Sequence, residues 1–189
     1  LEPAVVRHLA FDLERQFALS RRPKPDANQV LVAPPDPAGG AVYVCGLERS
    51  GTTILLRILD EIDVFRSLTY RDMPFVLAPN LWKRVTRHTP QRSVPVERAH
   101  GDGLMVDFDS PEAFEEVFWR TFGEHAISAD SLSADEPSIE VLNAFADYRA
   151  LVANPRTALQ PAMGTPMRYL SKNNNNLLLI ESSVIAQDY

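Results

Sequence analysis

The alternation of apolar and polar positions along the chain predicts helices that are separated by short strands. Helical periodicity, with apolar residues three and four positions apart, runs through residues 4–19, 51–62, 110–122, 137–153 and 177–188. Two short apolar runs, residues 41–45 and 167–171, have the length of strands, and the first is apolar on both faces, as in a buried parallel strand. We therefore expect an α/β fold with a central, mainly parallel sheet and flanking helices.

Local signals place two boundaries. Ser110 precedes Pro111 and Glu112, which is the order of an N-cap followed by a first-turn proline, so we expect a helix to begin at Pro111. Residues 22–40 contain five prolines and end in two glycines, which predicts a connector between the N-terminal helix and the first core strand. With 189 residues, 45% of them hydrophobic, the chain is long enough for one globular domain, residues 1–189.

The charges are unevenly distributed around a net charge of −6. Between Arg66 and His100, seven arginines and lysines face two acids, whereas between Gly101 and Asp147 twelve acids face one arginine. The acidic segment is typical of solvated helix faces, and the basic segment weakly favours a ligand with negative charge. The acidic balance of the whole chain argues against nucleic-acid binding.

Several other features restrict the class of protein. No apolar run approaches the length of a membrane span, and no signal segment opens the chain. The single cysteine, Cys45, cannot form an internal disulfide and has no neighbouring metal-ligand pattern. We therefore expect a cytoplasmic protein without a membrane span and without a metal ion.

The segment from Gly46 to Thr53 has the sequence GLERSGTT and lies between a predicted strand and a predicted helix. Its spacing is that of a P-loop, in which backbone N–H groups and a helix N-terminus surround a phosphate. Thr52 occupies the position of the P-loop lysine, and a cation stands three residues earlier, at Arg49. Because that lysine reaches the β- and γ-phosphates of a triphosphate, its replacement disfavours an ATPase or a GTPase.

The sequence VCGLERSGTTIL around this loop resembles the 5′-phosphosulfate-binding loop of sulfotransferases that use 3′-phosphoadenosine 5′-phosphosulfate (PAPS). The resemblance implies a P-loop-like fold, with PAPS as co-substrate. It implies that the cofactor is bound by Glu48, Arg49, Ser50, Gly51, Thr52 and Thr53. The sequence RYLSKN is similar to the family strand that ends in a catalytic lysine. This similarity implies that Lys172 neutralises charge on the sulfuryl group as it is transferred. The alternative is that Lys172 is an exposed lysine at a strand end.

The resemblance covers only the first part of a family domain. The family's second cofactor strand, which ends in an Arg-Asp-Pro-like motif and contributes to the 3′-phosphate site, has no counterpart before Tyr189. We therefore expect this chain to lack the C-terminal part of the domain, to bind the nucleotide weakly and to show no measurable transfer alone.

Two residues are candidates for the base that takes the acceptor's proton. Some family members use a histidine two residues after the strand-end lysine, where this chain has Asn174. Other members use a carboxylate after the helix that follows the loop, and Asp72 is the corresponding residue; it could equally cap a helix that starts near Pro74. His100, in the glycine-flanked loop AHGDG, is the second candidate.

These features together predict transfer of a sulfuryl group from PAPS to a hydroxyl or amine of a small-molecule, glycan or lipid acceptor. A non-catalytic binding or scaffold domain of the same fold is an alternative, and a P-loop small-molecule kinase is less favoured because the loop lacks its lysine. We expect the acceptor pocket in residues 70–105 and 145–165, and the protein could form a homodimer.

Overall fold

The computed structural model describes residues 3–20, 40–47, 49–86, 94–98, 101, 103–123, 137–153 and 167–173. The helices in these residues are α1 (Pro3–Ser20), α2 (Thr52–Asp60), α3 (Pro79–Thr86), α4 (Glu115–Phe122) and α5 (Ile139–Ala153). The strands are β1 (Val42–Val44), β2 (Phe65–Arg66), β3 (Val96–Glu97), β4 (Met105–Val106) and β5 (Arg168–Lys172). The expected α/β class is confirmed.

β5 lies between β1 and β2 in a parallel sheet of three strands, which confirms the expected parallel sheet. Val42 in β1 is paired with Leu170, and Phe65 in β2 is paired with Arg168. In a parallel sheet all strands end at the same edge, where ligands commonly bind. The loop after β1, the segment after β2 and the end of β5 therefore meet at one edge. β3 and β4 form a separate antiparallel pair.

The two faces of the sheet are covered by different helices. On one face, Val44 and Leu170 pack against Leu56 of α2. On the other face, α1, α4 and α5 enclose an aromatic cluster that consists of Phe11, Phe118, Trp119, Phe145, Tyr148 and Tyr169. Helices on both faces of a parallel sheet bury both sets of alternating side chains, and this is the layer arrangement of an α/β domain.

A buried carboxylate joins α1 to α3. Glu14 is fully buried and accepts hydrogen bonds from the backbone N–H groups of Asn80 (3.1 Å) and Leu81 (2.9 Å). Both N–H groups belong to the first turn of α3, where a helix leaves its donors unpaired and favours negative charge. Burial nevertheless raises the pKa of Glu14, since the loss of hydration outweighs these hydrogen bonds.

The helix that was expected to begin at Pro111 begins instead at Glu115, so that prediction is wrong. Pro111 forms an isolated antiparallel bridge with Thr69, and the N–H of Glu112 donates to the carbonyl of Leu68 at 3.2 Å. Pairing with a segment distant in sequence therefore holds residues 110–112 extended, and it outweighs the local capping signal.

The other expected elements agree to within about two residues, which is the usual uncertainty of helix ends. α1, β1, α5 and β5 match their predicted segments, and α2 ends at Asp60 rather than at residue 62. The predicted helix 177–188 and nearly all of the connector 22–40 lie outside the described residues. No helix in the described part of the chain is long and apolar enough to cross a membrane.

Candidate functional site

Two of the described residues in the loop between β1 and α2 have positive φ. Arg49 has a φ of 63° and Gly51 a φ of 86°. The N–H of Ser50 donates to the carbonyl of Leu47 at 3.2 Å, and the Ser50 hydroxyl donates to the same carbonyl at 2.6 Å. Such turns direct consecutive backbone N–H groups toward one concavity, which is a common anion-binding arrangement.

Two glycines permit this geometry. A Cβ atom at Gly46 would lie 2.7 Å from Ser50 Oγ and 2.8 Å from Thr52 Cγ2, so a larger residue at this position would force the Ser50 or Thr52 side chain to move. Gly51 is the N-cap of α2, and no side chain caps the helix. The first N–H groups of α2 have no partner within the helix, and together with the helix dipole they favour an anion at this end.

Thr53, in the first turn of α2, accepts hydrogen bonds from two cations. Lys172 Nζ, at the end of β5, lies 3.1 Å from Thr53 Oγ1, and Arg98 Nη1 lies 3.2 Å from the same oxygen. Thr53 and Lys172 are both 7% exposed. The structure therefore places Lys172 beside the loop and buries it, unlike an exposed lysine at a strand end.

Glu112 lies between these two cations. Its Oε2 accepts hydrogen bonds from Arg98 Nη1 (3.0 Å) and from the Tyr70 hydroxyl (3.2 Å), and its Oε1 accepts one from the N–H of Ala113 (3.0 Å). Lys172 Nζ is 3.9 Å from Oε1. Both carboxylate oxygens of Glu112 are engaged. Glu112 therefore compensates the positive charge of Arg98 and Lys172 and holds the two side chains in place. Burial and the neighbouring carboxylate raise the pKa of Tyr70, so its hydroxyl keeps its proton and acts as a donor.

Asp72 occupies a different environment from the one expected of a base. Its side chain is fully buried, with Oδ2 accepting hydrogen bonds from the Thr69 N–H (2.9 Å) and the Thr69 hydroxyl (3.3 Å). Its Oδ1 lies 3.0 Å from Lys83 Nζ. Burial lowers the pKa of Lys83, and Asp72 opposes this shift. Asp72 is thus paired with Thr69 and Lys83, and an acceptor hydroxyl has no access to this enclosed carboxylate.

The alternative role expected of Asp72, as the cap of a helix near Pro74, also needs correction. Asp72 is the third residue of a short 3-10 helix, Tyr70–Asp72, and it forms a reciprocal capping box with Thr69 as the N-cap. The next α-helix, α3, begins at Pro79.

The remaining predicted residues are found in three settings. Arg49 and Ser50 are exposed at the tip of the loop, whereas Thr52 and Thr53 are buried beneath it. Glu48 and His100 lie outside the described residues. The residues that the sequence analysis missed are Tyr70, Arg98 and Glu112. Only Arg98 had a signal, namely its place in the basic segment, and no spacing linked it to Thr53.

The arrangement is suited to an oxyanion, because an uncapped helix N-terminus and two cations meet at Thr53. The chain matches no family model, and neither a curated protein nor a solved structure shows significant similarity to it.

Proposed function

We propose that this chain binds the 5′-phosphosulfate of PAPS at the loop between β1 and α2 and serves in sulfuryl transfer to an acceptor hydroxyl or amine. The observation that supports this most is the hydrogen bond from Lys172 to Thr53, which joins the end of the central strand to the helix after the loop. The strand order β1-β5-β2, with the loop directly after β1, is compatible with a P-loop architecture.

The proposed roles follow from the chemistry of the transfer. The acceptor oxygen or nitrogen forms a bond to sulfur while the bond from sulfur to the 5′-phosphate oxygen breaks, and 3′-phosphoadenosine 5′-phosphate (PAP) leaves with the bonding electrons. Arg49, the Thr52 hydroxyl and the first N–H groups of α2 bind the 5′-phosphate. Lys172 stabilises the charge that develops on the bridging oxygen.

The acceptor's proton needs a base that is accessible to the acceptor. Among the described residues, Glu112 has both oxygens engaged and Asp72 is enclosed. We therefore favour His100, which lies two positions after Arg98, a residue that contacts Thr53. An imidazole that titrates near neutral pH suits this role.

Calorimetric titration of PAP into the chain tests the binding step. Arg49→Ala and Lys172→Met should each weaken PAP binding by about 1.5–3 kcal/mol, the contribution of a charged hydrogen bond. Arg120→Ala is the matched control, because Arg120 pairs with Glu116 on the exposed surface of α4 and its side chain is 60% exposed. Adenosine 5′-phosphosulfate, titrated in parallel, reports on the 5′ site without a 3′-phosphate.

The same titrations can reject the proposal. Binding of neither nucleotide at millimolar concentration, or equal affinity in the wild type and both loop-site variants, would contradict it. Binding of ATP that requires Mg²⁺ and exceeds that of PAP would favour a kinase. Nucleotide binding without transfer from radiolabelled PAPS in the longest available protein would favour a binding domain.

A further inference from the structure

The β3–β4 hairpin is held beside the anion site through both of its strands. After β3, the N–H of Arg98 donates to the carbonyl of Leu104 at 3.0 Å, which extends the strand pairing by one residue pair. Arg98 Nη1 lies 3.2 Å from Thr53 Oγ1. After β4, the chain leads to Glu112, whose Oε1 lies 3.9 Å from Lys172 Nζ. The hairpin therefore has a fixed position relative to Thr53 and Lys172.

One face of the hairpin changes from charged to apolar with distance from Arg98. Alternate residues of a strand point to the same face, so Val96 lies on the face of Arg98. Val96 is paired with Val106, and residues directly opposite each other in an antiparallel pair also share a face. Val96 is 65% exposed, and Val94, two positions earlier, is 79% exposed. The face that carries Arg98 into the site thus continues as an apolar surface formed by Val94, Val96 and Val106, termed the valine face.

The chemistry of the valine face restricts what can bind to it. Of the described hairpin residues on this face, Arg98 alone is charged. Two residues of an extended strand span about 7 Å, so the valine face begins within the length of a small molecule whose other end lies at Arg98. A sugar would lose hydration against valine side chains without new hydrogen bonds, whereas an apolar body gains free energy by leaving water. The face therefore suits a ligand with one polar end and an apolar body.

We propose that the valine face binds the apolar body of the acceptor, so that the acceptor is a hydrophobic alcohol rather than a sugar. This inference rests on the proposed sulfuryl transfer. The acceptor hydroxyl lies at the Arg98 end, and His100, the proposed base, follows Arg98 by two positions. The apolar body extends along Val96 toward Val94. These residues belong to the segment 70–105, in which the sequence predicts the acceptor pocket.

A second copy of the chain fits the valine face less well than an acceptor does. Three valine side chains supply only a small part of the about 1,200–2,000 Å² that a stable protein interface buries. A small apolar acceptor needs no such area, because its hydroxyl end is held at the anion site.

The test uses primary alcohols that differ only in chain length. With PAP at saturation, ¹³C NMR follows the methyl resonances of Val96 and Val106 during titration with 1-butanol, 1-hexanol, 1-octanol or glucose. We expect the alcohols to shift both resonances, with an affinity that rises about twofold to fourfold for each added methylene, and glucose to shift neither. Val96→Ser should remove most of this dependence on chain length. Val85→Ser is the matched control and should retain it, because Val85 is a 72% exposed valine on α3.

Several outcomes overturn the inference. They are equal affinity for the three alcohols, a dependence on chain length that persists in Val96→Ser, or binding of glucose as tight as that of 1-octanol. A dimer in sedimentation experiments that Val96→Ser dissociates would assign the valine face to a second copy instead. If Val96→Ser lowers stability, Val94→Ser replaces it.

The nucleotide site is monitored separately in the same samples. The backbone resonances of Gly51 and Thr52 report PAP binding, and their failure to shift would count against the proposed function. The alcohol series, repeated without PAP, would still decide whether the valine face binds an apolar body. Failure of the nucleotide site is therefore distinguishable from failure of the acceptor site.

Discussion

Lys172 Nζ donates to Thr53 Oγ1 over 3.1 Å, although the two residues are 119 positions apart in the chain. Both side chains are almost completely buried. The hydrogen bond fixes the first turn of α2 against the end of β5, so the geometry of the loop depends on the sheet beneath it. A substitution at either residue should therefore affect both stability and anion binding.

Thr53→Val tests this dependence. Valine has nearly the same shape as threonine but no hydroxyl, so the variant leaves Lys172 and Arg98 without one hydrogen-bond acceptor. We therefore expect the unfolding free energy to fall by about 1–3 kcal/mol. Urea denaturation measures this loss. Thr121→Val is the control, because the Thr121 hydroxyl donates only locally, to the Val117 carbonyl of α4. Equal stability of the two variants would contradict the prediction.

Arg49→Gly should raise the stability of the fold and weaken PAP binding. Arg49 has a φ of 63°, a conformation that costs an L-residue about 1–2 kcal/mol and that glycine adopts without strain. We expect the variant to be more stable by about 1 kcal/mol or less, because glycine also loses more conformational entropy on folding. We also expect it to bind PAP more weakly. Arg49→Ala keeps the strain and loses the same charge. A glycine variant no more stable than the alanine variant would show that the loop is unstrained.

Asp72→Asn should lower stability rather than the rate of the chemical step. It leaves the half-buried Lys83 without its ion partner, and the loss should stay below the about 3–5 kcal/mol that breaking a fully buried pair typically costs. The double variant Asp72→Asn/Lys83→Met should lose less than the sum of the single variants, as a double-mutant cycle by denaturation can measure. Additive losses, or a fall in turnover per folded molecule with unchanged stability, would restore Asp72 as a candidate base.

The unfolding free energy should fall as the pH rises above mildly acidic values, because Glu14 then loses its proton. Burial raises the pKa of Glu14 above its ordinary value of 4.5, so the folded state binds this proton more tightly than the unfolded state does. The resulting stability is fully present below pH 4.5 and is lost as the pH rises through the folded-state pKa. Glu14→Gln should remove this pH-dependent component of the unfolding free energy. Parallel slopes of unfolding free energy against pH in both proteins would contradict the assignment.

In a longer protein that carries out the transfer, His100→Gln should abolish most turnover while PAP affinity stays unchanged, because a base acts only in the transition state. Full activity of the variant would exclude His100. Asn174→Ala, at the position where some sulfotransferases have their histidine, is the control.

The sequence could predict the strand, loop and helix around Gly46, because each is specified by neighbouring residues. It also predicted that Lys172 follows a strand, and the ends of parallel strands necessarily meet at one edge of a sheet. Arg98 and Glu112 could not be found in this way. Their approach to Thr53 requires residues 110–112 to pair with the segment after β2, and no local pattern encodes that contact.

The central position of β5 determines the order in which the protein can be assembled during synthesis. Arg168 Nε donates to the carbonyl of Gly40, 128 positions earlier, and β1 and β2 pair with β5 rather than with each other in the described sheet. At about 5–20 residues per second, a ribosome needs about 6–25 s to make the intervening chain. During that time the strand that pairs with β1 in the described sheet has not yet been synthesised, and neither has Lys172. The anion site therefore forms late, and nascent chains arrested before β5 should depend on chaperones and be sensitive to proteases.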